Sequence, residues 1–245
     1  MDIDFENGMI LPVDKPYEWT SFDVIRKMKY AIAHSSGIKK FKIGHAGTLD
    51  PLATGLLIVC LGKATKKISE IQNGIKEYTG EFFLGATTPS YDMETEVNET
   101  FSTAHISPEK ILSTAKTMTG LQMQTAPVYS AKSVDGKKLY ELARKNKTAD
   151  IKQHEIEILN FEILKINLPL VEFRITCSKG TYIRSIAHDF GKKLDSGAYL
   201  HSLRRTKSGD FSVENAKTLS QWIKEISGED LDESSKRKFH RDGRK

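Results

Sequence analysis

The chain has 245 residues, 38% of them hydrophobic, enough for one sizeable core, or a core with a smaller lobe, without disulfides or metals to stabilise it. A formal net charge of +5 and a sequence pI near 9.0 favour a polyanionic partner, and nucleic acid ahead of a membrane. No apolar run approaches the ~18 residues of a spanning helix, and the acidic start MDIDFENGMILP is unlike a signal peptide, so a cytoplasmic protein is expected.

Met9 to Val13 reads as a short strand. Thr20 to Ile32 reads as a helix, with Thr20 and Asp23 at capping-box spacing and Ile25, Met28 and Ile32 on one face. After Lys39, Lys40 and Lys42 comes the Gly-punctuated segment GHAGTLDPLATG, Gly44 to Gly55, and then the run LLIVCLG, expected as a buried strand. Cys60 in that run and Cys177 in a similar one read as small buried hydrophobes, not nucleophiles. A short helix is expected over Ala64 to Ile71, then a strand from Lys76 to Leu84 that alternates Tyr78, Gly80 and Phe82 against Thr79, Glu81 and Phe83. Polar residues follow from Thr87 to His105. Ser107 and Pro108 open a helix that Gly120 should close. APVYSAKSV reads as a strand, Asp135-Gly136 as a turn and KKLYELARKN as a basic amphipathic helix, and this middle region is expected to form an inserted lobe.

Glu155 to Ile166 and Leu170 to Cys177 read as paired strands, with Val171, Phe173, Ile175 and Cys177 on one side. Thr181 should cap a helix carrying Ile183, Ile186, Phe190 and Leu194. A strand from Tyr199 to Arg205 and a helix from Leu219 to Ile226 complete a domain expected over residues 8–227. Residues 228–245 are too polar to fold and read as a basic disordered tail.

Metal and phosphate templates fail: there is no HExxH, paired CxxC, GxxxxGK[ST] or GxGxxG, and no G-x-S-x-G elbow presents a serine. Carboxylate chemistry remains. Asp50 sits in a tight Gly-bounded turn between a basic segment and a buried strand, where a rigid loop presents a carboxylate to a ligand. Asp followed by Pro51 is also an ordinary helix start, and spacing alone favours that reading.

The string GHAGTLDPLATGLLIVCLGKATK resembles the signature of the bacterial tRNA pseudouridine synthase B family. Further segments are similar in the same order: KEYTGEFFLGATTPSYD, QTAPVYSAKSVDGKKLYELAR, SKGTYIRSIAHDFGKKL and AYLHSLRRT, so the likeness spans roughly Met9 to Thr206. The resemblance implies an α+β fold: a mixed, largely antiparallel sheet flanked by helices, with a central active-site cleft and an inserted lobe. It also implies isomerisation of uridine 55 in the T-loop of transfer RNA, with neither cofactor nor metal. A monomer acting on the T-arm, away from membranes, is expected.

Residue by residue, the family's catalytic aspartate falls on Asp50. The bond from N1 to C1′ must break, the uracil rotate, and C5 join C1′. A carboxylate could attack C1′, take the C2′ proton or add to the ring, and the residues do not choose among these routes. The resemblance implies that Tyr78 stacks on the extruded base, that Tyr182 accepts or relays the C5 proton, and that Arg184 pairs with the carboxylate. It implies that His45 enters the space left by the flipped base, and that Lys66, Asp92, Arg204 and Arg205 contact RNA or brace the site. There are two departures from the family pattern: Lys132 directly follows Ala131, with Ser133 at the expected lysine position, and the C-terminal RNA-binding domain called PUA that many relatives carry is not expected after Ile226. The competing readings are a non-catalytic RNA-folding factor and a base-excising glycosylase, the latter distinguished by free uracil as product.

Overall fold

The computed structural model describes residues 4, 7–129, 133–134, 137–138 and 153–230. The main strands are β1 (Met9–Lys15), β2 (Ile43–His45), β3 (Ala53–Leu61), β4 (Lys76–Leu84), β5 (Gly120–Gln124), β6 (His154–Asn167), β7 (Leu170–Cys177) and β8 (Ala198–Ser208). The helices are α1 (Ser21–Ser36), α2 (Ile68–Asn73), α3 (Pro108–Thr117), α4 (Ile183–Lys193) and α5 (Leu219–Ser227). Two compact units result, residues 1–74 with 204–245, and 75–203.

In the first unit β3 pairs antiparallel with β1 and with β2, Lys217–Thr218 pairs parallel with β1, and the Arg204–Ser208 part of β8 lies beside β3. Helix α1 starts on the expected capping box: Thr20 Oγ1 accepts from the Asp23 amide at 3.0 Å and the Asp23 carboxylate accepts from the Thr20 amide at 3.1 Å. Its Val24, Ile25, Met28 and Ile32 meet Leu219, Trp222, Ile223 and Ile226 of α5 over Leu11, Val13, Leu57, Val59 and Leu61. The alternate residues of β3, Leu56, Ile58 and Cys60, are buried in a second cluster with Ala46 and Ala64. Burial on both faces explains the unbroken run LLIVCL. The expected helix over Ala64 to Ile71 divides into a 3-10 turn, Gly62–Lys67, and α2.

The second unit pairs β4 with β7, β7 with β6 and β6 with β5, all antiparallel, and the Ala198–Leu203 part of β8 neighbours β4. Phe82, Phe161, Phe173 and Phe190 form its aromatic centre, Phe82 stacking on Phe173 at 4.2 Å between ring centroids. The α+β expectation holds: a mixed, largely antiparallel sheet flanked by helices. Helix α3 ends at Thr117, ahead of Gly120, which opens β5 at φ +106°. Strand β5 has no counterpart among the elements expected from the sequence, and residues 126–129 are not a strand. Ser133–Val134 and Lys137–Lys138 pair antiparallel, and the turn expected at Asp135-Gly136 lies outside the described residues. Lys137 and Lys138, the first two residues of the expected basic helix KKLYELARKN, are strand instead, because they pair with Ser133–Val134; the rest of that stretch, Lys132 and most of the tail lie outside the described residues.

Candidate active site

Asp50 is not a helix cap. Its carbonyl accepts from the Ala53 amide at 3.1 Å, closing a turn over Pro51 and Leu52 that runs directly into β3, which settles the ambiguity left by the Asp-Pro dipeptide. The flanking backbone is tied down by buried side chains from three other elements. Ser21 Oγ accepts from the Leu49 amide at 2.8 Å and donates to its carbonyl at 3.0 Å. Arg205, 1% exposed, donates Nε to Leu56 O at 2.7 Å, Nη2 to Gly47 O at 3.1 Å and Nη1 to Thr48 O at 3.5 Å. Gly55, at φ +97°, has no room for a side chain: a Cβ would lie 2.4 Å from Arg205 O. The carboxylate thus stands on an over-determined turn, the preorganisation that a catalytic group requires.

Lys15 is a participant that sequence reasoning missed. Its wholly buried ammonium donates to Trp19 O at 2.6 Å, Pro16 O at 2.9 Å and Pro51 O at 3.3 Å. Burial lowers its pKa to about 8, and the Asp50 carboxylate opposes that shift. The only sequence signal is an Asp-Lys-Pro triplet ending an apolar strand. His45, on β2, is half-buried, and burial followed by the Arg205 guanidinium holds its pKa below the ordinary histidine value. Arg204 forms a bidentate pair with Asp14 at 3.0 and 2.7 Å. Lys66 is exposed and lines a cavity of about 310 Å³ together with Lys40, Lys42, Lys63, Ile38 and Phe41. Arg204 and Arg205 both bond within the first unit, to the Asp14 carboxylate and to Leu56 O respectively.

In the second unit Tyr78 is buried on β4 on the same side as Phe82 and Leu84. Arg184, 4% exposed, is no solvated helix charge: its Nε lies 3.6 Å from Asp92 Oδ2, and its Nη1 donates to Tyr129 O at 2.9 Å and Ser90 O at 3.3 Å. Asp92 is held in a tight turn, its carbonyl accepting from Thr88 Oγ1 at 2.6 Å and Ser90 Oγ at 3.2 Å, with Tyr91 at φ +63° stacked on His188. Tyr182 is the N-cap residue of α4 and makes no capping bond with its own side chain. Thr181 does not cap; its hydroxyl donates to Ser178 O. Burial pushes both thiols up, Cys177 to about 11, as inert cysteines require. No cluster of three or more metal-ligating side chains occurs among the described residues, and no helix among them is long and apolar enough to cross a membrane.

The model of the TruB family pseudouridylate synthase N-terminal domain matches residues 34–183, and that of the tRNA pseudouridylate synthase B C-terminal domain matches residues 184–239. A relative from Flavobacterium johnsoniae named tRNA pseudouridine synthase B is 54% identical over 87% of this chain and 93% of its own. One of the same name from Phocaeicola vulgatus is 45% identical over 94% and 98%. Among solved structures, an archaeal box H/ACA sRNP Nop10-Cbf5 complex matches with a TM-score of 0.64 and 25% identity, covering 98% of this chain and 57% of that one. Another, an H/ACA RNP bound to a substrate RNA containing 2′-deoxyuridine, matches with a TM-score of 0.63 and 26% identity over 93% of this chain and 57% of that one. With the family's domain models covering both the Asp50 turn and the Tyr182–Arg184 segment, the chain belongs to the TruB family of pseudouridylate synthases.

Proposed function

We propose that this protein converts uridine 55 in the T-loop of transfer RNA to pseudouridine, extruding the base and using the Asp50 carboxylate as the catalytic group. The observation that carries the reading is the Asp50 turn, whose neighbours Gly47, Thr48, Leu49 and Pro51 are each held by a buried Arg205, Ser21 or Lys15. Such restraint favours a carboxylate that must meet one ribose carbon in one orientation. In this reading Tyr78 offers a π-face that fits uracil whatever its rotation, His45 fills the gap in the T-loop, and Tyr182 moves the C5 proton. Arg184 keeps the anionic centre of the site in balance while held by Asp92. Lys66 and its neighbouring lysines meet phosphates. Extrusion costs a few kcal/mol, least for a base already in a loop, which favours a structured hairpin as target.

The test is incubation with a T-arm hairpin carrying tritium at C5 of its uridines. Tritium release at position 55 with no free uracil is the expected result. Free uracil would replace the reading with base excision, and neither product would leave only RNA binding.

A further inference from the structure

Strand β5 inverts the pattern expected of a half-buried strand. Its apolar residues Leu121 and Met123 are 70% and 56% exposed, while the polar Gln124 at its end is 3% exposed. A primary amide in so dry a place costs free energy unless its polar atoms are satisfied. Here they are satisfied by one residue: Gln124 Oε1 accepts from the Tyr182 amide at 2.8 Å, and Gln124 Nε2 donates to the Tyr182 carbonyl at 3.1 Å. The complementary pair also fixes which end of the amide is oxygen.

We propose that Gln124 is the positioning residue for Tyr182, holding its main chain in a two-point clamp so that the phenol reaches the substrate. The proposal rests on the role given to Tyr182 under Proposed function. Tyr182 has extended dihedrals, φ −95° and ψ 107°, and its amide precedes the first helical bond of α4, so without Gln124 that amide has no partner within the helix. The phenolic oxygen sits at the far end of a two-torsion side chain, so a small rotation of the Tyr182 backbone displaces it widely. Adjacent bonds extend the clamp: Ser185 Oγ donates to Thr125 O at 2.8 Å and Arg184 Nη1 to Tyr129 O at 2.9 Å, so the stretch after Gln124 is fastened along the start of α4. The His154 ring, from the residue paired with Gln124 in the β5–β6 ladder, meets Tyr182 edge-on at 6.1 Å, its Nε2 engaging Gly180 O at 3.1 Å. A polar residue that breaks the strand pattern, with both its oxygen and its nitrogen bonded to a candidate catalytic segment, marks a functional constraint rather than a packing choice.

The test compares Gln124→Met, which keeps length and removes both bonds, in the parent and in a Tyr182→Phe background. Single-turnover tritium release at saturating enzyme and affinity for the T-arm hairpin are both measured. In the parent, Gln124→Met lowers the rate about 10- to 100-fold, the scale of a misplaced catalytic group, with affinity kept. In the Tyr182→Phe background the same change costs less than about twofold, because the group it positions is already gone. A parent-like rate for Gln124→Met, or an equal loss in both backgrounds, overturns the proposal. If Tyr182→Phe alone is fully active, the role of Tyr182 falls and the proposal with it; if Tyr182→Phe is impaired and Gln124→Met is not, the proposal alone falls. Should Gln124→Met fail to fold, Gln124→Glu retains size and the acceptor for the amide but not the donor, and a parent-like rate for it also overturns the clamp.

Discussion

Replacement of Lys15 by Met separates the charge of a buried amine from its volume. In the folded protein burial lowers the Lys15 pKa to about 8 from the ordinary 10.5. Between those values the unfolded chain binds more protons at this site than the folded one, so stability rises with pH across that window and the penalty is present in full below about pH 8. The complete shift corresponds to about 3 kcal/mol, of which about 1 kcal/mol should appear between pH 7 and pH 9. Loss of the amine also strips a donor from Trp19 O, Pro16 O and Pro51 O, so the absolute stability of the variant mixes two opposed effects. The slope does not mix them. Urea unfolding of parent and Lys15→Met at pH 7, 8 and 9 gives the difference directly: the parent should gain about 1 kcal/mol on the variant over that range. Parallel curves would show that Lys15 is not held out of water.

Asp50→Asn keeps size and loses charge, so turnover should drop at least about 1,000-fold with hairpin affinity nearly unchanged; tritium release near the parent rate would remove Asp50 from the chemistry. Gly55→Ala forces a side chain into a left-handed position 2.4 Å from Arg205 O and should cost about 3 kcal/mol or more; a urea midpoint equal to the parent's would refute that clash. Phe82→Ala empties the middle of the aromatic cluster and should cost about 3–5 kcal/mol in urea unfolding, whereas a loss under about 1 kcal/mol would mean that its stack on Phe173 is not tightly packed. Removing the residues after Ser227 takes away Lys236, Arg237, Lys238, Arg241, Arg244 and Lys245. If these residues touch phosphates, the salt dependence of transfer RNA binding flattens by roughly 0.9 for each duplex phosphate they neutralise, while single-turnover rate holds; equal salt slopes would exclude such a role.

Local chemistry makes much of the fold legible in the residues alone. The capping box at Thr20 and Asp23, the continuous apolar run of β3 and the period-two alternation of β7 each depend on neighbours a few positions away, and each appears where expected. Helix α5 likewise begins on its own box at Thr218 and Gln221. The ordered family motifs carry the residue assignments further than spacing can, since Asp-Pro by itself reads more readily as a helix start.

What requires the tertiary structure is the set of partners separated by long stretches of chain. Arg205 lies 149 residues from Leu56, and either RNA contact or bracing is open to it from the sequence, yet it is itself buried, its guanidinium donating to the carbonyls of Leu56, Gly47 and Thr48 around the turn that bears Asp50. Lys15 and Gln124 give no periodic signal, since a single polar residue in an apolar or irregular strand looks like noise until its acceptors are seen. Arg184 reads as a surface charge apart from the family motif because the residue that pairs with it, Asp92, comes from a turn whose geometry depends on Thr88 and Ser90. Sequence pattern records which side of an element faces the core; only the folded chain decides which buried polar groups meet, because each must find its partner in three dimensions or go unsatisfied.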